Sequence, residues 1–142
     1  LYAMQPRTGQ IAWKYQLSRR GVNGTPLIDK GTVYVTQAEE QGDIKDSSMG
    51  LAVALPGGKK GEVKDADAVW RVREIVAGRN QPLLIGDRLY VVDDGAGLFI
   101  FDSATGKLIK KQKLGTVMRG SLLYADGKIY ACEANGRCWV LK

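Results

Sequence analysis

Histidine is absent from the 142 residues. That removes Ser-His-Asp and Cys-His catalysis within this chain, together with the common histidine-containing zinc sites. Only two cysteines occur, Cys132 and Cys138, so neither a CxxC motif nor a four-cysteine zinc site can form. Between them runs Glu133-Ala134-Asn135-Gly136-Arg137. Asn-Gly suits a three-residue hairpin loop, Ala134 to Gly136, with Gly136 in the left-handed conformation. Glu133 then faces Arg137, and Cys132 faces Cys138 with Cα atoms about 4.5 Å apart, at the short end of the disulfide range. Two readings stay open. One is a disulfide, which fits an oxidising compartment; the other is a pair of buried reduced thiols. A two-residue Asn135-Gly136 turn would shift the register and separate the pair.

Arginine offers a second chemistry. Asn23, Arg79 and Arg119 occupy one aligned position in three repeated segments, and Arg19, Arg20, Arg71 and Arg73 lie in the same connections. Guanidinium forks bind carboxylate or phosphate through two parallel hydrogen bonds, and cations that converge on a concavity reinforce one another. The arginines read either as a mouth for an anionic ligand or acidic partner segment, or as loop residues splayed into solvent. Asp93-Asp94-Gly95 reads as a tight acidic turn, and Glu39-Glu40 with Asp43 to Asp46 as a solvated loop or a partner or metal contact. Gly95-Ala96-Gly97 leads into an apolar strand and lacks a third glycine, so it is no dinucleotide fingerprint. Gly57-Gly58-Lys59-Lys60-Gly61 lacks the Ser or Thr of a phosphate-binding loop and reads as an exposed turn. Asn23-Gly24-Thr25 is formally a glycosylation sequon, discounted because Thr25 reads as the start of an inner strand.

The elements that must position these residues repeat. Thr25–Val35, Gln81–Val91 and Ser121–Ala131 align without gaps. Each is a short apolar run, a Gly/Asp turn, then an aliphatic-Tyr-small run, which is a hairpin signature. Their tyrosines, Tyr34, Tyr90 and Tyr130, are 56 and 40 residues apart. A second unit recurs as Leu1–Gly9 and Leu98–Gly106, with Leu51–Pro56 and Cys138–Leu141 in the same slot. Further strands follow at Ile11 to Leu17, Ala68 to Val72 and Leu108 to Leu114. Four strands, A to D, in a period of about 40 residues make the blade of a β-propeller. The longer copy carries two insertions, a B–C loop from Gln37 to Gly50 and a C–D loop from Pro56 to Asp67. Leu89–Val92 and Leu98–Phe101 are apolar on both faces, as strands between two sheets must be.

The expected organisation is a single all-β unit over 1–142, built of four-stranded antiparallel blades. Residues 1–20 form strands C and D of a partial blade, 21–77 and 78–117 two full blades, and 118–142 strands A to C of another. That makes thirteen strands, three to three-and-a-half blades, an open arc of a larger seven- or eight-bladed ring. The chain begins in what reads as mid-strand, so the natural start is expected to lie upstream. Exposed edges of incomplete blades predict self-association.

Composition agrees. Glycine is 18 of 142 residues, roughly twice the usual share of about 7%, as many tight turns require. Apolar residues make up 44% and charged residues 25%, with mean hydropathy −0.20, which excludes wholesale disorder. No apolar run is long enough for a membrane-spanning helix. Lys and Arg number 21 against 15 Asp and Glu, a net +6. No basic run is interleaved with aromatics, so nucleic acid is not an expected partner. Lys107, Lys110, Lys111 and Lys113 cluster on an outermost strand, where lysines block unwanted strand pairing.

These residues resemble the pyrroloquinoline-quinone (PQQ)-like repeat of quinoprotein-like propellers. The tryptophan-docking motif of that family runs Ala-x-Asp-x-x-Thr-Gly-x-x-x-Trp. Ala3, Thr8, Gly9 and Trp13 match it, with Gln5 in place of the Asp. The next full copy keeps Asp102, Thr105 and Gly106 but carries Ile100 for the Ala and Lys110 for the Trp, and the inserted copy keeps Trp70. The resemblance implies a structural role for these residues, with Thr-Gly making the C–D turn and the Trp burying its ring against the next blade.

The resemblance implies one of two functional classes. One is a non-catalytic binding or scaffolding propeller of an exported, periplasmic bacterial protein, with a protein or small anionic ligand as partner and no cofactor. This is the favoured expectation. The alternative is part of a PQQ- and calcium-dependent alcohol or sugar dehydrogenase. The adjacent cysteine pair of those enzymes is absent here, and no position matches their calcium ligands or catalytic Asp. No catalytic residue is therefore assigned.

Overall fold

The structure, a computed structural model, describes residues 1–41 and 48–142. Fourteen strands and one 3-10 turn make up its regular structure among the described residues, arranged as consecutive blades of a β-propeller. The first blade contains β1 (Tyr2–Met4) and β2 (Ile11–Tyr15). The second runs β3 (Leu27–Asp29), β4 (Thr32–Glu40), β5 (Met49–Pro56) and, after a short strand β6 (Gly61–Val63), β7 (Trp70–Arg73). The third is β8 (Leu83–Ile85), β9 (Arg88–Val92), β10 (Gly97–Asp102) and β11 (Leu108–Lys113). The fourth is β12 (Leu123–Ala125), β13 (Lys128–Cys132) and β14 (Cys138–Leu141). The second and third blades are antiparallel meanders in the orders β3-β4-β5-β7 and β8-β9-β10-β11. The 3-10 turn spans Asp65–Asp67.

Strand alternation assigns each side chain to one of two neighbouring interfaces. Val33 and Val35 of β4 and Leu51, Val53 and Leu55 of β5 pack with Trp13, Tyr15 and Leu17 of the first blade. Tyr34, Ala52 and Ala54, on the other face of those strands, pack with Leu89, Val91, Phe99 and Phe101 of the third. Val92 and Leu98 then meet Ile129 and Ala131 of the fourth. The core is thus three layers between four sheets, and the central strands are apolar on both faces for that reason.

Three expectations need correction. The C–D insertion, expected as an exposed turn from Pro56 to Asp67, contains β6, which pairs in parallel with β2 of the first blade (Trp13↔Gly61, Lys14↔Glu62, Tyr15↔Val63). The first blade is therefore three-stranded, β1-β2-β6, and its strand comes from the neighbouring blade's loop. The physical reason is the edge of β2, whose free backbone groups form a template for pairing, together with a loop long enough to reach it and bury Val63. The B–C excursion is shorter than Gln37 to Gly50, because β4 continues through Glu40 and Gln37 and Glu40 pair with Leu51 and Met49. The acidic stretch Asp43 to Asp46 lies outside the described residues. Inner strands begin at Leu27, Leu83 and Leu123, two residues later in every blade than Thr25, Gln81 and Ser121.

Candidate functional site

Antiparallel connectivity puts the B–C turns and the blade-to-blade links on one rim, and the A–B and C–D turns on the other. Asn23, Arg79 and Arg119 lie in the links, four residues before β3, β8 and β12. Asn80 fixes the backbone beside Arg79. Its side chain is buried and donates from Nδ2 to the Val92 carbonyl at 2.9 Å, and its own carbonyl accepts from Thr36 Oγ1 at 3.3 Å. Gly78 N donates to Asp94 Oδ1 at 3.2 Å. The link is pinned between two blades, and the Arg79 head emerges half-exposed, its Nη1 3.6 Å from Asp94 Oδ2. Asn23 and Arg79 line one small cleft of about 40 Å³ together with Glu39 and Asp94. Arg119 is exposed and does not line it. The rim brings two of the three aligned residues together, and it sets acids among the cations.

The other arginines divide. Arg19 pairs with Glu40 at 3.5 Å. Arg71 and Arg73 stand on β7 rather than in a link: the expected strand from Ala68 to Val72 already spans Arg71, and β7 runs one residue further to Arg73. Arg71 Nη1 lies 2.7 Å from Asp65 Oδ2, and Tyr15 Oη donates to Asp65 Oδ1 at 2.8 Å. Burial, and then the bond to Asp65, push the Tyr15 phenol well above its ordinary range. This trio ties the first blade to the insertion of the second. Sequence reasoning did not find it, since nothing local signals a parallel pairing made by a loop.

Both motif tryptophans reach across to the next blade. Trp13 and Trp70 are buried, Nε1 donating at 2.8 Å to the carbonyls of Gly57 and Ser103 respectively. The Trp70 ring lies on Gly106, where a Cβ would come within 2.7 Å of it, and φ of +72° already favours glycine. Asp102 Oδ1 accepts from Thr105 N (2.8 Å) and Thr105 Oγ1 (2.7 Å), closing the turn that receives the ring. Ala3 pairs with Trp13 across β1 and β2, and Thr8 and Gly9 form the exposed turn between those strands.

On the last hairpin, Glu133 N donates to the Arg137 carbonyl (2.7 Å) and Gly136 N to the Glu133 carbonyl (3.1 Å), with Gly136 at φ +88°. Cys132 faces Cys138, Cα atoms 4.1 Å apart, and the two are joined as a disulfide. Glu133 is buried. Its carboxylate accepts from Thr116 N at 2.7 Å and Trp139 Nε1 at 2.9 Å, which holds its pKa below the usual range. Sequence reasoning saw Glu133 only as a hairpin residue facing Arg137.

Among the described residues no three His, Cys, Asp or Glu side chains gather where they could hold a metal ion. The two cysteines face each other across a hairpin rather than standing adjacent in the chain.

Blade pattern, inter-blade tryptophans and Thr-Gly turn together define a PQQ-like repeat β-propeller. A family model described as outer membrane protein assembly factor BamB matches residues 59–142, and the chain belongs to this family. Among solved structures it is similar to BamB from Moraxella catarrhalis (TM-score 0.68, 19% identity, 98% of this chain and 42% of that one). It is also similar to the quinohemoprotein alcohol dehydrogenase ADHIIG from Pseudomonas putida HK5 (TM-score 0.65, 18% identity, 87% of this chain and 18% of that one). The corresponding enzyme from Comamonas testosteroni gives a TM-score of 0.60 at 22% identity, over 91% of this chain and 22% of that one. The chain thus spans less than half of each. No curated protein matches the sequence significantly.

Proposed function

We propose that this chain is a non-catalytic binding and scaffolding segment of an exported, periplasmic bacterial propeller, with protein partners. Its contact rim is the one that carries Asn23, Arg79 and Arg119, and the partner there is an anionic ligand or acidic segment. The observation that carries the binding role is the assembly-factor family match over residues 59–142. Arg79 keeps an exposed head on a braced backbone and Arg119 is exposed, which supports the choice of rim. Glu39 and Asp94 beside Arg79 mean that an incoming carboxylate competes with an existing ion pair. Recognition there is accordingly salt-sensitive and of modest strength.

Calorimetric titration with a hexaglutamate peptide tests the rim. Replacing Arg79→Ala with Arg119→Ala is expected to weaken binding about tenfold, the effect of losing about 1.4 kcal/mol of charge-assisted contacts. Unchanged affinity refutes the rim assignment. Dye reduction by the chain on addition of PQQ, calcium and an alcohol would refute the non-catalytic reading.

A further inference from the structure

Arg79 and Arg119 share one aligned position, yet the turns that face them differ by a side chain. Four residues after Tyr34, Tyr90 and Tyr130 stand Ala38, Asp94 and Ala134. In the third and fourth blades this residue makes the same backbone contact. Asp94 N donates to the Val76 carbonyl at 2.8 Å, and Ala134 N to the Val117 carbonyl at 3.1 Å. Alanine therefore suffices to join a B–C turn to the link before it, and the Asp94 carboxylate is surplus to that task. It is directed at the link instead. Its Oδ1 accepts from Gly78 N at 3.2 Å, and its Oδ2 lies 3.6 Å from Arg79 Nη1.

Both partners of this ion pair leave fixed backbones. Gly78 is pressed against the second blade, where a Cβ would come within 2.6 Å of the Ala38 Cβ, and Asn80 ties the other side of Arg79 to the Val92 carbonyl. The Asp94 carbonyl accepts from Met118 N at 3.0 Å, one residue before Arg119. The cleft that the pair shares with Asn23 and Glu39 measures about 40 Å³, far below the size of a ligand pocket. A carboxylate from outside has no room beside the pair and reaches the guanidinium only in place of Asp94. Exchange is feasible, because the Arg79 and Asp94 side chains are 49% and 21% exposed and an ion pair so close to solvent is weak. Arg119 meets no such rival, since its own junction offers Ala134.

We propose that Asp94 is a built-in competitor at the rim: its carboxylate caps the Arg79 guanidinium until a carboxylate of an acidic partner segment displaces it, while Arg119 stands open. Asp94 thereby sets the affinity of the rim and touches the bound segment only through the arginine it gives up. This rests on the assignment of the rim to an acidic partner made above.

The test is calorimetric titration with hexaglutamate at low salt, comparing the parent with Asp94→Ala, which gives the third blade the residue of the fourth. Affinity should rise about threefold to fivefold, the scale of an exposed ion pair. Asp94→Asn keeps an acceptor for Gly78 N and removes the charge. It should give the same rise, and it carries the test if Asp94→Ala fails to fold by circular dichroism. Asp87→Ala makes the same charge change at an 88% exposed carboxylate on the other rim and should leave affinity unchanged. In an Arg79→Ala background Asp94→Asn should no longer raise affinity, because the two side chains act as a pair. No rise with the Asp94 variants, an equal rise with Asp87→Ala, or a rise that survives Arg79→Ala overturns the competitor and leaves the rim assignment standing. Binding that ignores Arg79→Ala with Arg119→Ala, or no binding by the parent and Asp94→Ala alike, overturns the rim assignment and the competitor with it.

Discussion

The interface between the second and third blades and the one between the third and fourth are built on the same strand pattern, yet they are closed by different means. In the first, Trp70 lies buried beside Ala54, tilted against Tyr34 and Phe101, with its indole nitrogen on the Ser103 carbonyl. In the second, Ile100 and Lys110 stand at the matching pair and no indole crosses from β11. Its opposite rim is closed by polar contacts, as the neighbouring junction is by Asp94 N on the Val76 carbonyl (2.8 Å). Met118 N donates to the Asp94 carbonyl (3.0 Å), Ala134 N to the Val117 carbonyl (3.1 Å), and Glu133 collects the Thr116 amide. Ala stands opposite Trp in the first two blades and Ile opposite Lys in the third. Both junctions keep an apolar core, and they differ in whether an indole crosses at that pair.

The largest effect expected from breaking this contrast is at Trp70. Trp70→Ala removes a buried ring that three side chains and a turn enclose, and should cost about 3–5 kcal/mol, read as a fall in the denaturant midpoint. Lys110→Ala at the matching place removes an exposed side chain and should change stability by no more than about 0.5 kcal/mol. Equal costs would mean that the two junctions are not built differently.

A smaller effect, of opposite sign, sharpens the same point. Ile100→Ala with Lys110→Trp installs the Ala–Trp pair in the third blade. The ring gains burial on Leu98 and Ile129, while the cavity left by the isoleucine offsets part of it. A net gain of about 1 kcal/mol is expected in denaturant unfolding. A loss larger than that of Ile100→Ala alone would show that the slot does not take an indole.

Most of the architecture was legible because propeller strands announce themselves locally. Tyr34, Tyr90 and Tyr130 mark one slot per blade, and two-residue turns such as Asp126-Gly127 fix hairpin register. Trp13 and Trp70 could be assigned to blade junctions from their spacing after Thr-Gly or its expanded counterpart. What escaped was non-local. β6 carries only Gly61, Glu62 and Val63, no stronger a strand signal than any loop, and its partner β2 is far away in sequence. Arg73 lies just past the apolar end of its strand at Val72, where sequence alone does not separate strand from link. Asn23 and Arg79 aligned correctly, but alignment does not reveal that Asp94 reaches over to pair with Arg79. At Lys110 the sequence shows a departure from the motif, and the structure shows the lysine exposed on β11.

The smallest effect concerns the polar end of the weaker junction. The Thr116 amide, and then the Trp139 indole, hold the Glu133 carboxyl below the ordinary glutamate range. An unfolded chain frees that carboxyl to titrate near about 4.3. Because the folded pKa is the lower one, the unfolded chain binds more protons as pH falls, and the stabilisation is complete only above the unfolded value. It is lost as pH drops through the folded one. Glu133→Gln removes the charge while keeping the size, so the variant should melt a few degrees below the parent at pH 7 and the gap should close toward pH 3. Asp67 and Asp102 are also held low, the first by Lys64 and Lys59 and the second by Thr105. They are common to both proteins and cancel in the difference. A melting gap that stayed constant from pH 7 to pH 3 would mean that Glu133 acts there by shape alone, and the polar closure would lose its electrostatic part.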